Sequence, residues 1–418
     1  MLAMFLQTAW AAPLPVHLEH ALDELTAPAL HAPPPPTERP DTDPSSWVYG
    51  YLPYWSEGIE DVSWTTMTHV AWFDVVLEAG GELGMVSAWE NNAQAVVDKA
   101  QAYGVSVHLT LSCFDPRVQE EVLLNRGLRN KLIDNMVDLV EEGGAQGVNV
   151  DFEQLPGSLR SAFVDFVERL SRRVDEVVVA TPSVDWEGAY DLERLSEASD
   201  ALFLMGYNYY HSTGDPGPTA PLSGGDTWLP YSLSWSVEDH VNQGVAPEKI
   251  VLGLPLYGHL WPTVDTQVPG VSTGRASSVS IAHAIRQAEE VGREYDWESV
   301  SPYALPTGTS QLWYDDPDSL MEKVRYARAK SLAGVGFWAL GYTRQDSPLW
   351  VALENEFSQP ANESDDFSFD SADLLTSDQD GPTLKGCSSS PKPQGLVWVA
   401  IALVACWTRS RASGAAAS

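Results

Sequence analysis

The chain has 418 residues, with 24 basic against 58 acidic side chains and a formal net charge of −34 at pH 7. A surface this acidic repels nucleic acid and anionic lipid, so partners that require a basic face are excluded. Three cysteines, Cys113, Cys387 and Cys406, form no CxxC pair and lie too far apart for a metal cluster, so stability must come from a core and not from a disulfide framework. In chain order, residues 1–12 are mostly apolar and end in Ala9-Trp10-Ala11, the small-x-small pattern of a signal peptide, although the first basic residue is Arg39. Residues 13–46, with Pro33 to Pro36 at their centre, cannot bury a core and read as a stiff linker.

From 47 to 353 short apolar runs alternate with helical periodicity, the pattern of parallel βα units. Strands are predicted at 47–52, 69–75, 106–112, 147–153, 177–181, 201–207, 250–255 and 334–340. Between them, 159–174 carries a one-sided stripe of Leu159, Phe163, Phe166, Val167, Leu170 and Val174, as a helix packed on a sheet requires. Eight such units predict an α/β fold, a (β/α)8 TIM barrel, with its largest insertion at 259–311 after the seventh strand. Residues 354–386 begin with an acidic, Ser-rich stretch without Lys or Arg and read as a solvated spacer. In 387–418, Cys387 precedes an apolar run (395–407) and then Arg409 and Arg411. That run is short for a membrane span. Its layout resembles the C-terminal sorting tails of myxobacterial exported proteins, which implies processing or anchoring at a membrane or cell surface.

The fourth predicted strand, Gln146-Gly147-Val148-Asn149-Val150-Asp151-Phe152-Glu153, carries the chemistry. Strand side chains alternate, so Val148, Val150 and Phe152 face the covering helices while Asn149, Asp151 and Glu153 face the barrel interior. Buried carboxyls are costly unless they meet one another or a ligand, and Glu153 falls at the C-terminal rim, where barrel enzymes work. An enclosed Glu beside a second acid has a raised pKa, as a general acid needs.

This segment resembles the acidic signature of family-18 glycoside hydrolases, the chitinases and their relatives. Tyr49-Gly50-Tyr51 with Tyr54-Trp55 is similar to that family's first strand, and Met205-Gly206-Tyr207-Asn208-Tyr209 to its sixth. Gly253-Leu254-Pro255-Leu256-Tyr257-Gly258 is similar to its seventh. Tyr314-Asp315-Asp316-Pro317, Ser319, Lys323 and Gly334 to Gly341 are similar to the end of its domain. The resemblance implies that Glu153 protonates the glycosidic oxygen. Asp151 and Tyr207 would orient the substrate's acetamido group, whose oxygen is the nucleophile, and Trp338 would floor the subsite. Tyr51, Asn149, Met205 and Asn208 complete the implied substrate-binding set. The implied substrate is a β-1,4-linked N-acetylglucosamine polymer (chitin, chito-oligosaccharide or peptidoglycan glycan), cleaved by a secreted or cell-surface monomer that needs no metal or cofactor.

Three departures stand out: Gln146 for an acid at the start of the signature, Asn149 for the usual Asp, and Asn208 for an Asp beside Tyr207. Asn149 cannot share a proton with Asp151, although bacterial relatives that cleave spore or cell-wall peptidoglycan look similar there. His108, Thr110 and Ser112 are expected to fill the barrel as a hydrogen-bonded layer, with His69 alike. His211 and His259 are placed on rim loops, Trp55, Trp72, Trp186, Trp261 and Trp313 are candidate sugar platforms, and Cys113 is expected to be a buried thiol. The alternative is a catalytically weak or inactive lectin of the same fold.

Overall fold

The apolar runs expected as strands close into one parallel ring in the computed structural model, which describes residues 46–56, 59–344 and 346–358. Its strands are β1 (Trp47–Pro53), β2 (His69–Leu77), β3 (Ser106–Cys113), β4 (Gly147–Phe152), β5 (Glu176–Pro182), β6 (Ala201–Met205), β7 (Ile250–Pro255) and β8 (Gly334–Trp338). Each pairs in parallel with the next, and β1 closes on both β2 and β8. Among the described residues, no helix is long and apolar enough to cross a membrane. The expected signal peptide, nearly all of the linker, and the tail from 359 onward lie outside the described residues.

Local chemistry explains the helices. Arg126–Gly143 starts because the Asn125 side chain accepts from the amides of Gly127 and Leu128, and it stops at Gly144, whose φ of 75° suits a residue without Cβ. Pro317–Ala329 starts on a reciprocal cap between Asp316 and Ser319 with Pro317 at its first turn. Behind it the buried Lys323 ammonium donates to the buried Asp315 carboxylate, so this part of the Tyr314-to-Lys323 motif is structural. The helix expected over 159–174 is Arg160–Leu170, because the Arg173 amide turns back to the Leu170 carbonyl and tightens the last turn.

β4 alternates as its sequence requires. The Phe152 ring stacks on Phe163 and Phe166 of that helix, at 5.6 and 5.7 Å, while Asn149 accepts from the Tyr51 hydroxyl inside the barrel. Truncating Phe152 to Ala would cost about 3–5 kcal/mol. Gly147 is required where the β5 backbone approaches, since a Cβ there would lie 2.4 Å from the Glu176 carbonyl oxygen.

Two boundaries differ from expectation. The insertion after β7 is a folded lobe: a five-stranded antiparallel sheet, Ser277–Ser280, Tyr257–Pro262, Ser310–Trp313, Ser301–Ala304 and Arg293–Asp296 in spatial order, with the helix Ile281–Val291. Trp261 and Trp313 form its core with Trp228, which removes both from the candidate sugar platforms. The barrel also runs past residue 353, because the last helix, Pro348–Phe357, buries Phe357 and holds Glu354 against the hydroxyls of Thr65 and Thr66.

Candidate active site

The C-terminal mouth of the barrel is assembled from strand ends. β3 and β4 run in register, with Thr110 opposite Asn149 and Ser112 opposite Asp151. One residue past β4, Glu153 donates its amide to the Cys113 carbonyl at 3.1 Å. The buried Gln119 amide clamps both strand ends by donating to the carbonyls of Cys113 and Glu153 at 2.8 and 2.7 Å. The Tyr190 hydroxyl donates to the Phe152 carbonyl from the loop after β5. The Glu153 side chain is thus carried on a backbone fixed from three sides.

Asp151 is 5% exposed, and its Oδ1 has no hydrogen-bond partner in the protein. Burial, and next the charge of Asp74, lift its carboxyl to about 7. Burial and the neighbouring Asp151 likewise push Glu153 well above the ordinary carboxylate range. The protonated form of Glu153 is therefore favoured, so the pair offers a candidate proton donor beside a group that can become an anion. Tyr207 is buried just past the end of β6, and burial, then Asp151 and Glu153, push its phenol up, so it remains a donor facing both acids.

Trp338 ends β8 and is 2% exposed, with Phe73 at 4.8 Å, Tyr51 at 5.3 Å and Trp55 at 6.4 Å between ring centroids. These rings pack as an aromatic cluster at the end of β8. Met205, the last residue of β6, is half-buried at the same rim. Asn208 adopts a φ of 59°, a left-handed conformation that Asn tolerates better than most side chains. Its Oδ1 accepts from the Tyr257 hydroxyl at 2.7 Å and lies 3.2 Å from His259 Nε2. Asn208 therefore ties the mouth to the inserted lobe. His259 is fully buried in that lobe and not on the rim, and burial drops its pKa to about 3, leaving a neutral ring.

Sequence reasoning missed Asp74. In β2, Trp72 stands opposite Leu109 and Val75 opposite Leu111, so Phe73 and Asp74 together oppose one residue, Thr110. This is a β-bulge, and it re-aims the side chain that follows it. Trp72 packs outward on Trp89, Phe73 inward on Trp338, and strict alternation would send Asp74 outward again. Instead it is buried, and Ser112 Oγ donates to it at 2.5 Å. Ser112 thus belongs to the site and not to a filling layer. The visible signal was a lone acid inside the apolar run His-Val-Ala-Trp-Phe-Asp-Val-Val-Leu.

At the opposite end, His69 begins β2, His108 lies in β3 and Glu176 begins β5. One Glu176 oxygen lies 2.8 Å from His108 Nε2 and 3.6 Å from His69 Nε2. Their ligand atoms fall within 4.8 Å of one another. The trio is assembled by strand adjacency between residues far apart in sequence. Its short contacts are those of a carboxylate accepting from imidazoles, and the other ring nitrogens face Tyr49 and Thr68 hydroxyls. Cys113 is buried, as expected, and burial pushes its thiol up to about 12. Of the remaining Trp candidates, Trp72 is core, Trp55 is half-buried near Trp338, and Trp186, 68% exposed, stands on the loop after β5.

A closed parallel barrel with buried carboxyls converging at its C-terminal mouth has the architecture of a barrel enzyme. The sequence model of the glycosyl hydrolases family 18 matches residues 54–343, and the chain belongs to that family. It is 29% identical over 251 residues to the "Putative sporulation-specific glycosylase YdhD" of Bacillus subtilis, covering 56% of this chain and 57% of that protein. It is 23% identical to the cortical fragment-lytic enzyme of the same organism, covering 61% of this chain and 59% of the relative. The match thus spans less than two thirds of either relative. Among solved structures, a family-18 chitinase from Cycas revoluta in complex with (GlcNAc)3 superposes with a TM-score of 0.66 at 21% identity, covering 74% of this chain and 99% of that one.

Proposed function

We propose that this chain hydrolyses β-1,4-linked N-acetylglucosamine polymers with retention of configuration, the substrate's own acetamido group acting as nucleophile. The observation that carries the reading is the buried Asp151–Glu153 pair at the barrel mouth, where burial and then Asp151 push the Glu153 carboxyl up. In this mechanism Glu153 gives its proton to the glycosidic oxygen as the bond from that oxygen to the anomeric carbon breaks. The acetamido carbonyl oxygen closes on the anomeric carbon from the opposite face, forming a cyclic oxazolinium. Asp151, with a free Oδ1, accepts from the acetamido N–H and offsets the positive charge, and Tyr207 donates to the acetamido oxygen. Glu153, now a carboxylate, takes a proton from water, which reopens the ring and leaves a β product. General acid catalysis of this kind typically contributes about 10²–10⁴ in rate. Family 18 departs in this way from the two-carboxylate retaining scheme.

Trp338, held by packing on Phe73 and Tyr51, is the ring that this reading places under the apolar face of the sugar. The Cycas chitinase named above is described with (GlcNAc)3, and one Bacillus relative is named as a cortical fragment-lytic enzyme, so chito-oligosaccharide and peptidoglycan glycan are the two substrate classes to separate. Export, with the tail as a sorting or anchoring signal, is part of the proposal and rests on segments outside the described residues. Incubation with chitotetraose and with purified peptidoglycan, followed by product masses, tests the activity. Cleavage of one alone assigns the substrate, and binding without cleavage of either would establish the lectin instead.

A further inference from the structure

We infer that Asp74 is a positioning residue of this site: turned into the barrel by the bulge in β2, it supplies from that strand the carboxylate that Asn149 does not supply from β4, and so sets the charge of Asp151. The inference rests on the reading that Asp151 serves the acetamido group. Its geometric basis is independent of that reading. Asp74 is 4% exposed, its carboxylate accepts from Ser112, and Ser112 stands directly opposite Asp151 across the β3–β4 ladder. Asn149 occupies the position two residues before Asp151, where its Oδ1 accepts from Tyr51 and its Nδ2 has no protein partner. An amide there cannot share a proton with Asp151, and the like charge that acts on Asp151 comes instead from Asp74 on β2. The bulge is the device that delivers it.

The titratable groups facing Asp151 are Asp74 from β2, Tyr49 and Tyr51 from β1, Glu153 beyond β4, Tyr190 beyond β5 and Tyr207 beyond β6. None is a cation. Burial pushes all four phenols up, so the carboxyls carry the ionisation near neutrality. Burial raises Asp74 to about 6, with the Ser112 hydroxyl pulling it back, while Asp151 stands at about 7. As pH rises Asp74 gives up its proton first, and its charge then holds the proton on Asp151. Between these values the two carboxyls hold about one proton as a unit.

The test compares the wild-type chain with Asp74→Asn, which keeps an acceptor for Ser112 but removes the charge. The acid limb of the kcat/KM profile on chitotetraose should move down by about one pH unit, because Asp151 ionises more easily without a like charge beside it. KM at the optimum should change less than twofold. The double variant Asp74→Asn with Asn149→Asp, which returns the carboxyl to β4, should restore the limb. If Asp74→Asn fails to fold, Ser112→Ala withdraws the donor that favours ionised Asp74 and should move the limb in the same direction. Carboxyl ¹³C NMR of Asp151 in the same variants reads the coupling without turnover. An Asp151 titration and an acid limb that both stay in place would overturn the inference. A wild-type chain that cleaves nothing, while Asp151 still shifts on losing Asp74, would leave the coupling standing and sink the catalytic reading.

Discussion

The two ends of one barrel treat the same chemical group in opposite ways. At the C-terminal mouth, Asp74, Asp151 and Glu153 are enclosed, and burial raises all three. At the N-terminal end, Glu176 lies 2.8 Å from His108 Nε2 and 3.6 Å from His69 Nε2, and those contacts hold its carboxyl far below the ordinary range. Both clusters are made by neighbouring strands presenting polar side chains to the interior. The difference lies in what each carboxyl meets. At the mouth burial is the first cause and a neighbouring carboxyl adds to it for Asp151 and Glu153, whereas at the other end hydrogen bonding from imidazole outweighs burial. A buried carboxyl among carboxyls holds its proton to higher pH, whereas one that accepts from an imidazole is favoured as an anion and braces the strands. Asp315 with Lys323 is a third version: burial pushes Asp315 up and the ammonium pulls it back.

Removing the proton donor should give the largest contrast. Glu153→Gln should lower kcat by roughly 10²-fold or more with an unchanged circular dichroism spectrum. Asp151→Asn should be comparably severe, and products of the wild-type chain should appear as the β-anomer by NMR. A Glu153→Gln chain that retains its rate would move the chemistry away from the mouth. Next in size is Trp338→Ala, which should raise KM and lower kcat on chitotetraose, together roughly tenfold, through lost ring packing.

The opposite end should answer only in stability. Glu176→Ala should leave kcat within twofold while costing about 1 kcal/mol in urea unfolding, a modest figure because the pair is partly open to solvent. A large loss of rate there would mean that the two ends communicate.

The ends should also differ in their dependence on pH. Glu176 has a depressed folded pKa, so its contribution is present above the ordinary Glu value of about 4.3 and is lost as pH falls below it. The mouth carboxyls have raised folded pKa values, so their contribution is full below about 3.9 and disappears as pH rises through about 6 and about 7. Asp151→Asn should therefore gain melting temperature relative to wild type at pH 8 more than at pH 5. Equal differences at both pH values would contradict the raised titration of Asp151. The smallest effect is expected from Trp186→Ala, which should weaken binding of long oligomers about twofold and leave short ones unchanged, as measured by calorimetry.

By itself the sequence determined the eight strands, their order and the inward face of β4, because periodicity of two with apolar runs is a local property that parallel packing merely uses. Asn149, Asp151 and Glu153 were legible for that reason, and Tyr207 and Trp338 only through the resemblance of their segments to family-18 motifs. Only the tertiary structure decided what needed neighbours. The bulge that turns Asp74 inward exists as a register shift between β2 and β3, of which β2 alone shows only a lone acid in an apolar run. The Gln119 clamp, the His69–His108–Glu176 brace and the tie from Asn208 to His259 join residues brought together by barrel closure or by the inserted lobe. That lobe was hidden because its strands are only four to six residues long, too short for their alternation to stand out from a Gly- and Ser-rich loop.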